Sequence, residues 1–303
     1  MLHSTNPAIP DQDLNYVYDA LGNRIRTIEN GVTVEYTTNN MNQYTRVGDT
    51  TYVFDADGNL IRETSPQGTA TYTYNDENRL VSVTSPAGTW QYTYDALGNR
   101  VATTEDGVTT RYVIDPIGLG NVVGEYTATG QLIAHYDHGF GLISRTDSLA
   151  NAAYYTFDAI GSTSALTSAT GVVANRYVYG PFGTRLRANE AIPNPFEYVG
   201  ELGVMSEGNG LDYMRARFFD ASLGRFSSDD PLGLAGGDAN TRRYVANNPV
   251  SRNDPTGLCK PTWYDYLIRY GNWGGPHWSG GQWVDEGGLG PRDVEPVDWV
   301  DAW

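Results

Sequence analysis

Cysteine is almost absent from this 303-residue chain. Cys259 stands alone, so no disulfide can close within it and no disulfide reveals its redox compartment. The four histidines, His3, His135, His138 and His277, lack metal-ligand spacing, which argues against a four-ligand Cys/His zinc site. Basic residues are few: 20 Lys and Arg stand against 36 Asp and Glu, a formal net charge of −16. That balance argues against a nucleic-acid partner, which needs cations to neutralise phosphate, and against unassisted adhesion to anionic lipid. An acidic surface also simply keeps a β-rich protein soluble. No apolar run approaches the ~20 residues of a membrane-spanning helix. The opening MLHSTNPAIPDQ has neither the basic nor the apolar part of a signal peptide. The expectation is export to the outside or the cell surface by a non-classical route, or a chain that is the end of a longer polypeptide.

What the chain has is tyrosine, 22 in all, and most of it falls in a repeat. The clearest unit is Tyr-x-Tyr/Phe-Asp-Ala-x-Gly-Asn: YVYDALGNR from Tyr16, YVFDADGNL from Tyr52 and YTYDALGNR from Tyr92. Looser copies start at Tyr72, Tyr112, Tyr155 and Tyr177. Tyr52, Tyr72, Tyr92 and Tyr112 are spaced at 20 residues, as are Tyr16 and Tyr36. Alternation with period 2 puts both rings of Tyr-x-Tyr on one sheet face, and Tyr, Val and Thr suit a pleated, half-buried surface. Asp-x-x-Gly-Asn then reverses the chain, with Gly or Asn at positive φ. Each copy is a β-hairpin, about seven in all, and neighbouring hairpins bury a continuous tyrosine-lined face. The tyrosines are core residues with no catalytic role.

This pattern resembles the YD repeats of bacterial Rhs proteins, Tc-toxin C components, wall-associated proteins and animal teneurins, over residues 14–258. The resemblance implies an all-β fold: antiparallel β-hairpin YD repeats in a spiralling, incomplete shell, with a short partly helical C-terminal tail. About seven hairpins are too few to close a shell, so strand edges are left open as an association hazard. A short self-capped sheet is the other reading.

From Gly210 the sequence resembles the Rhs repeat-associated core. The matching pieces are Arg217-Phe-Phe-Asp220, Leu223-Gly-Arg-Phe226, Asp230-Pro-Leu-Gly233, Tyr244-Val-x-Asn-Asn-Pro249 and Asp254-Pro-Thr-Gly-Leu258. In relatives this region is an internal aspartyl protease that cuts after the leucine of the second Asp-Pro-x-Gly-Leu. Carried over, Asp230 and Asp254 are the carboxylate pair, Arg217 is the basic partner, and the cut bond is Leu258–Cys259. Two adjacent carboxylates do not both ionise readily, so one can act as base toward water while the other polarises the Leu258 carbonyl. A nearby guanidinium supports the charge that develops. The competing reading makes both motifs turns, with each Asp side chain capping backbone N–H groups.

After Leu258 the composition changes. Six of the seven tryptophans follow it: Trp263, Trp273, Trp278, Trp283, Trp299 and Trp303. Residues 261–270 read as a short amphipathic helix with Pro near its start, Tyr270–Gly281 as a Gly-rich loop, and EPVDWVDAW as the first turns of another helix. The order resembles the start of a phospholipase A2 domain, whose loop carbonyls bind Ca²⁺. It implies that the backbone carbonyls of Trp273, Gly275 and His277 are calcium ligands. Gly274 stands where the family has a disulfide cysteine, and His277 where it has a glycine. The family's His-Asp pair, base and charged ligand, would come just after Trp303, so no lipase activity is expected of this chain alone.

The expected organisation is therefore a disordered N-terminus (1–13), a YD-repeat array (14–209), an autoproteolytic core (210–258) and a truncated phospholipase A2-like tail (259–303). The expected role is the C-terminal portion of an Rhs polymorphic toxin. The shell needs no cofactor, and calcium is expected for the tail. The expected partners are the rest of a larger Rhs shell, an immunity protein and a phospholipid membrane. The alternative is a non-enzymatic YD-repeat adhesion module at the cell surface.

Overall fold

The computed structural model describes residues 13–258 and two short strands, His277–Ser279 and Gln282–Val284. The chain divides into two compact units, Met1–Cys259 and Lys260–Trp303. Apart from Asp13, the N-terminus expected to be disordered lies outside the described residues, as do the helix expected at 261–270 and the ending EPVDWVDAW.

The first unit is built on one antiparallel sheet of 18 strands, β1 (Leu14–Tyr18) through β18 (Arg185–Glu190). Each strand pairs with the next along the chain, from β1 with β2 (Arg24–Glu29) to β17 (Val173–Tyr179) with β18. The sheet is unclosed: among the described residues β1 and β18 each have a partner on one side only. The all-β expectation holds, with nine hairpins rather than seven. Two were missed. One is formed by β3 (Val32–Thr38) and β4 (Tyr44–Val47), the other by β13 (Leu132–His138) and β14 (Leu142–Asp147).

The repeat motif makes its turn by a side-chain mechanism. In YVYDALGNR, Asp19 Oδ1 accepts the N–H groups of Leu21 (2.9 Å) and Asn23 (2.8 Å), and its Oδ2 accepts Asn23 Nδ2 (2.9 Å). Asp55 and Asp95 repeat the pattern with Asn59 and Asn99. Gly22 takes the left-handed conformation this turn needs, at φ 76, which Asn42 and Asn78 adopt at the same position of their own turns. The register shifts at the second aromatic of each unit, as between Val17 and Tyr18, Val53 and Phe54, and Thr73 and Tyr74. Such bulges bend a strand and increase its twist, and their repetition curves the sheet.

The inner face of that curve carries the tyrosines. Tyr44, Tyr52, Tyr72, Tyr92 and Tyr136 are buried with Leu60, Leu80 and Trp90 in one core cluster. Burial of each such side chain is worth about 1.5–3 kcal/mol. The chain after Glu190 leaves the sheet and fills this face. It contributes Phe196, Met205, Leu211, Tyr213 and Phe218 to the same cluster, with Tyr92 against Phe218 at 4.9 Å and Tyr136 against Phe196 at 4.8 Å between ring centres. The filling segment carries a four-stranded sheet: β19 (Met205–Ser206), β20 (Leu211–Met214), β21 (Arg217–Asp220) and β22 (Arg225–Phe226). Polar pins fasten it to the wall. Arg100 pairs with Glu207 inside the core, Arg225 lies over the Tyr44 ring at 3.8 Å, and Leu60 N–H donates to the Ser227 carbonyl at 3.1 Å.

Candidate functional site

The hairpin of β20 and β21 positions Arg217. Its side chain is fully buried, and the Phe226 ring lies 3.6 Å beneath its guanidinium carbon. Nη1 donates to the Thr241 carbonyl at 2.6 Å and Nε to the Gly257 carbonyl. Nη2 faces both expected carboxylates, with Asp230 Oδ2 at 3.2 Å and Asp254 Oδ2 at 3.7 Å. The side chains of Asp230 and Asp254 are 2% and 5% exposed. Residues spread over 37 positions of sequence thus converge on one buried point.

Each aspartate divides its oxygens between two tasks. Asp230 Oδ1 accepts Leu232 N–H at 2.8 Å, and Asp254 Oδ1 accepts Thr256 Oγ1 at 2.9 Å and Leu258 N–H at 3.2 Å. Both Asp-Pro motifs are therefore side-chain-capped turns, and both still direct Oδ2 at the same guanidinium. Turn capping by Oδ1 and approach of Oδ2 to Arg217 thus occur in the same two side chains. Asp254 also holds directly the residue whose carbonyl would be attacked.

Two neighbours contribute without having been singled out from sequence. Gly257 takes φ 67, and a Cβ there would lie 2.5 Å from the Met214 carbonyl oxygen and 3.0 Å from Arg217 N; only glycine lets the second motif lie this close to the arginine hairpin. Phe226 ends the Leu-Gly-Arg-Phe piece and provides the floor under Arg217. A cleft of about 420 Å³ opens beside Leu258, Thr256, Ala216 and Pro231, floored by Ile114, Val122 and Met205. Cys259 lies outside the described residues.

Of the expected calcium ligands, Trp273 and Gly275 lie outside the described residues. His277 falls in β23 (His277–Ser279), paired with Val284 of β24 (Gln282–Val284). The stretch read as a loop to Gly281 therefore contains an antiparallel strand at His277–Ser279. Among the described residues no group of three or more His, Cys, Asp or Glu is placed to hold a metal ion.

A meander of hairpins, curved by bulges and filled from within by a segment carrying a buried Arg–Asp–Asp cluster, defines a repeat-built β shell. The chain belongs to the Teneurin YD-shell family, whose model matches residues 8–250. It is 32% identical over 300 residues to the tRNA3(Ser)-specific nuclease WapA of Bacillus spizizenii, covering 93% of this chain and 12% of that protein. It is 34% identical over 120 residues to the double-stranded DNA deaminase toxin A of Burkholderia cenocepacia, covering 37% of this chain and 8% of that one. Among solved structures it is similar to a chain of the Photorhabdus luminescens Tc holotoxin pore, with TM-score 0.50 and 17% identity, covering 83% of this chain and 17% of that chain; the likeness is one of fold. This chain is thus an Rhs/YD-shell toxin-like protein that spans about an eighth of its first curated relative.

Proposed function

We propose that this chain is the closing segment of an Rhs polymorphic toxin, and that its filled shell cuts its own Leu258–Cys259 bond. The observation that carries the reading is the convergence of Arg217, Asp230 and Asp254 beside a Leu258 whose N–H is held by Asp254. Water adds to the Leu258 carbonyl carbon while one aspartate takes its proton. The C–N bond to Cys259 then breaks, and the amine of Cys259 takes the proton held by the other aspartate. Arg217 stays charged throughout and offsets negative charge at the pair. The cleft borders Leu258 and Pro231, the latter next in sequence to Asp230.

The released segment is read as an effector resembling a calcium-dependent phospholipase A2. The support is the sequence order YGNWGGPHWSGG followed by PVDWVDAW, with backbone carbonyls of Trp273, Gly275 and His277 toward Ca²⁺. The matching relatives carry the names of a tRNA nuclease and a DNA deaminase, which fits a shared shell followed by differing effectors. The same reading entails the rest of the shell, an immunity protein and a phospholipid target as partners, and release outside the cell or at its surface. The adhesion-module reading predicts an intact chain.

Intact mass of the purified protein tests this. The wild type should give two pieces divided at Leu258–Cys259, and Asp230→Asn and Asp254→Asn should each give one. Asparagine keeps the Oδ1 acceptor that caps the turn but puts an NH2 group in place of the charged Oδ2 that faces Arg217, so loss of cutting counts only in a variant shown to be folded by circular dichroism and melting. A wild type that remains whole sinks the cleavage reading. Fatty-acid release from phosphatidylcholine vesicles by the full-length toxin, with calcium or with chelator, tests the effector; calcium-independent nucleic-acid degradation instead would replace it.

A further inference from the structure

The turn between β20 and β21 grips the second Asp-Pro motif residue by residue. Arg215 Nη1 donates to the Pro255 carbonyl, Ala216 N–H to the Thr256 carbonyl at 3.1 Å, and Arg217 Nε to the Gly257 carbonyl. Three successive donors thus occupy three successive carbonyls, and the next carbonyl along the chain is that of Leu258. Arg215 is also tied to the shell wall: Nε donates to the Leu119 carbonyl, and Nη2 to Asn121 Oδ1 at 2.9 Å and to the Leu202 carbonyl at 2.7 Å. Its backbone is held at φ 55, a left-handed conformation costly for an arginine and kept only where the surroundings over-determine it.

We infer that residues 215–217 are a register clamp that selects the bond to be cut, with Arg215 as its positioning residue. This inference rests on the cleavage reading above. The clamp fixes the peptide by its backbone, so the first ungripped carbonyl is presented to the carboxylates whatever side chain that residue bears. Arg215 acts through the placement of residues 255–257, which it holds by the Pro255 carbonyl. Leu258 is only half-buried and borders the open cleft, which is consistent with a side chain that does not choose the site.

The experiment follows the full chain by intact mass over time, reading both rate and bond. Leu258→Ala should still be cut, and at the same 258–259 bond. Arg215→Met, checked as folded by circular dichroism and melting, should be cut roughly 10- to 100-fold more slowly, the scale of loss from small misplacements of reacting groups. Its rate should keep the wild-type shape against pH, because both carboxylates and Arg217 remain. A folded Leu258→Ala that is not cut overturns the clamp, since the leucine side chain then chooses the site. So does an Arg215→Met that cuts at the wild-type rate. Should Arg215→Met not fold, Leu258→Ala decides alone. An uncut wild type removes the cleavage reading itself, whereas a cut wild type with either contrary variant removes only the clamp.

Discussion

Single side chains in this shell do the work of turns, and Asn59 shows how much one of them holds. It is 2% exposed, and its Nδ2 donates both to Asp55 Oδ2 at 3.1 Å within its own turn and to Asn78 Oδ1 at 2.9 Å in the next hairpin. Asn23 makes the same bridge to Asn42. The motif's closing asparagine is therefore a rivet between repeats as well as part of a turn. Asn59→Ala removes a buried donor from the half-buried Asp55 and the exposed Asn78, and the two lost hydrogen bonds should cost about 1–2 kcal/mol together. Asp57→Ala, at the exposed tip of the same turn, should stay within ~0.5 kcal/mol. Urea unfolding of the two variants beside the wild type measures the contrast, and equal losses would sink the rivet.

At the scale of elements, the segment after β18 is held down by groups that prefer to be protonated. Burial pushes the Glu197 carboxyl up to about 7; Arg185 at 3.1 Å partly offsets this and Glu190 adds to it. Asp212, wholly enclosed, is pushed up by burial first and by Glu197 next. A carboxyl whose folded value lies above its unfolded one retains in the fold a proton that the open chain gives up. Its contribution to stability is complete below about 4.5 and is lost as pH rises through about 7. The turn aspartates work in the opposite sense. Asp95 is held below its ordinary value by its turn hydrogen bonds, led by Asn99, so its contribution fades only in stronger acid. The melting temperature should accordingly rise between pH 8 and pH 5, and Glu197→Gln should flatten that rise; an unchanged slope in the variant would falsify the assignment. The same segment marks where sequence reading stopped. The Asp-x-x-Gly-Asn turns were legible because their chemistry is local, and Arg217, Asp230 and Asp254 because their motifs come in order. The hairpin at Tyr36 escaped notice because Asn39 and Gln43 replace Asp and Asn, although Asn39 Oδ1 still accepts Met41 and Gln43 N–H. That residues 191–209 quit the sheet at Glu190 to pack Phe196 on Tyr136 was not legible. The destination depends on a tyrosine face assembled from strands far away in sequence, and nothing local encodes it.

For the whole molecule the decisive feature is a sheet with two ends. An unpaired edge offers a row of backbone donors and acceptors to any other strand, and proteins blunt such edges with charge. The two ends differ in this respect. β18 reads Arg-Leu-Arg-Ala-Asn-Glu with every side chain exposed, so its edge is charged. β1 reads Leu-Asn-Tyr-Val-Tyr and carries no charge. The curated relatives extend far beyond the share matched by this chain, and in a longer shell a further strand would pair at such an edge. Separated from that context, the chain should associate through β1 rather than β18, at concentrations of roughly 10–100 μM where exposed edges make themselves felt. Asn15 is exposed on β1, so Asn15→Lys adds charge at the edge with no loss of packing and should shift the sedimenting species toward monomer. Leu186→Lys on β18 should change little, because that edge is already guarded. Equal effects of the two substitutions would mean that association ignores the strand edges, and a monomeric wild type throughout this range would mean that β1 is covered from within the chain.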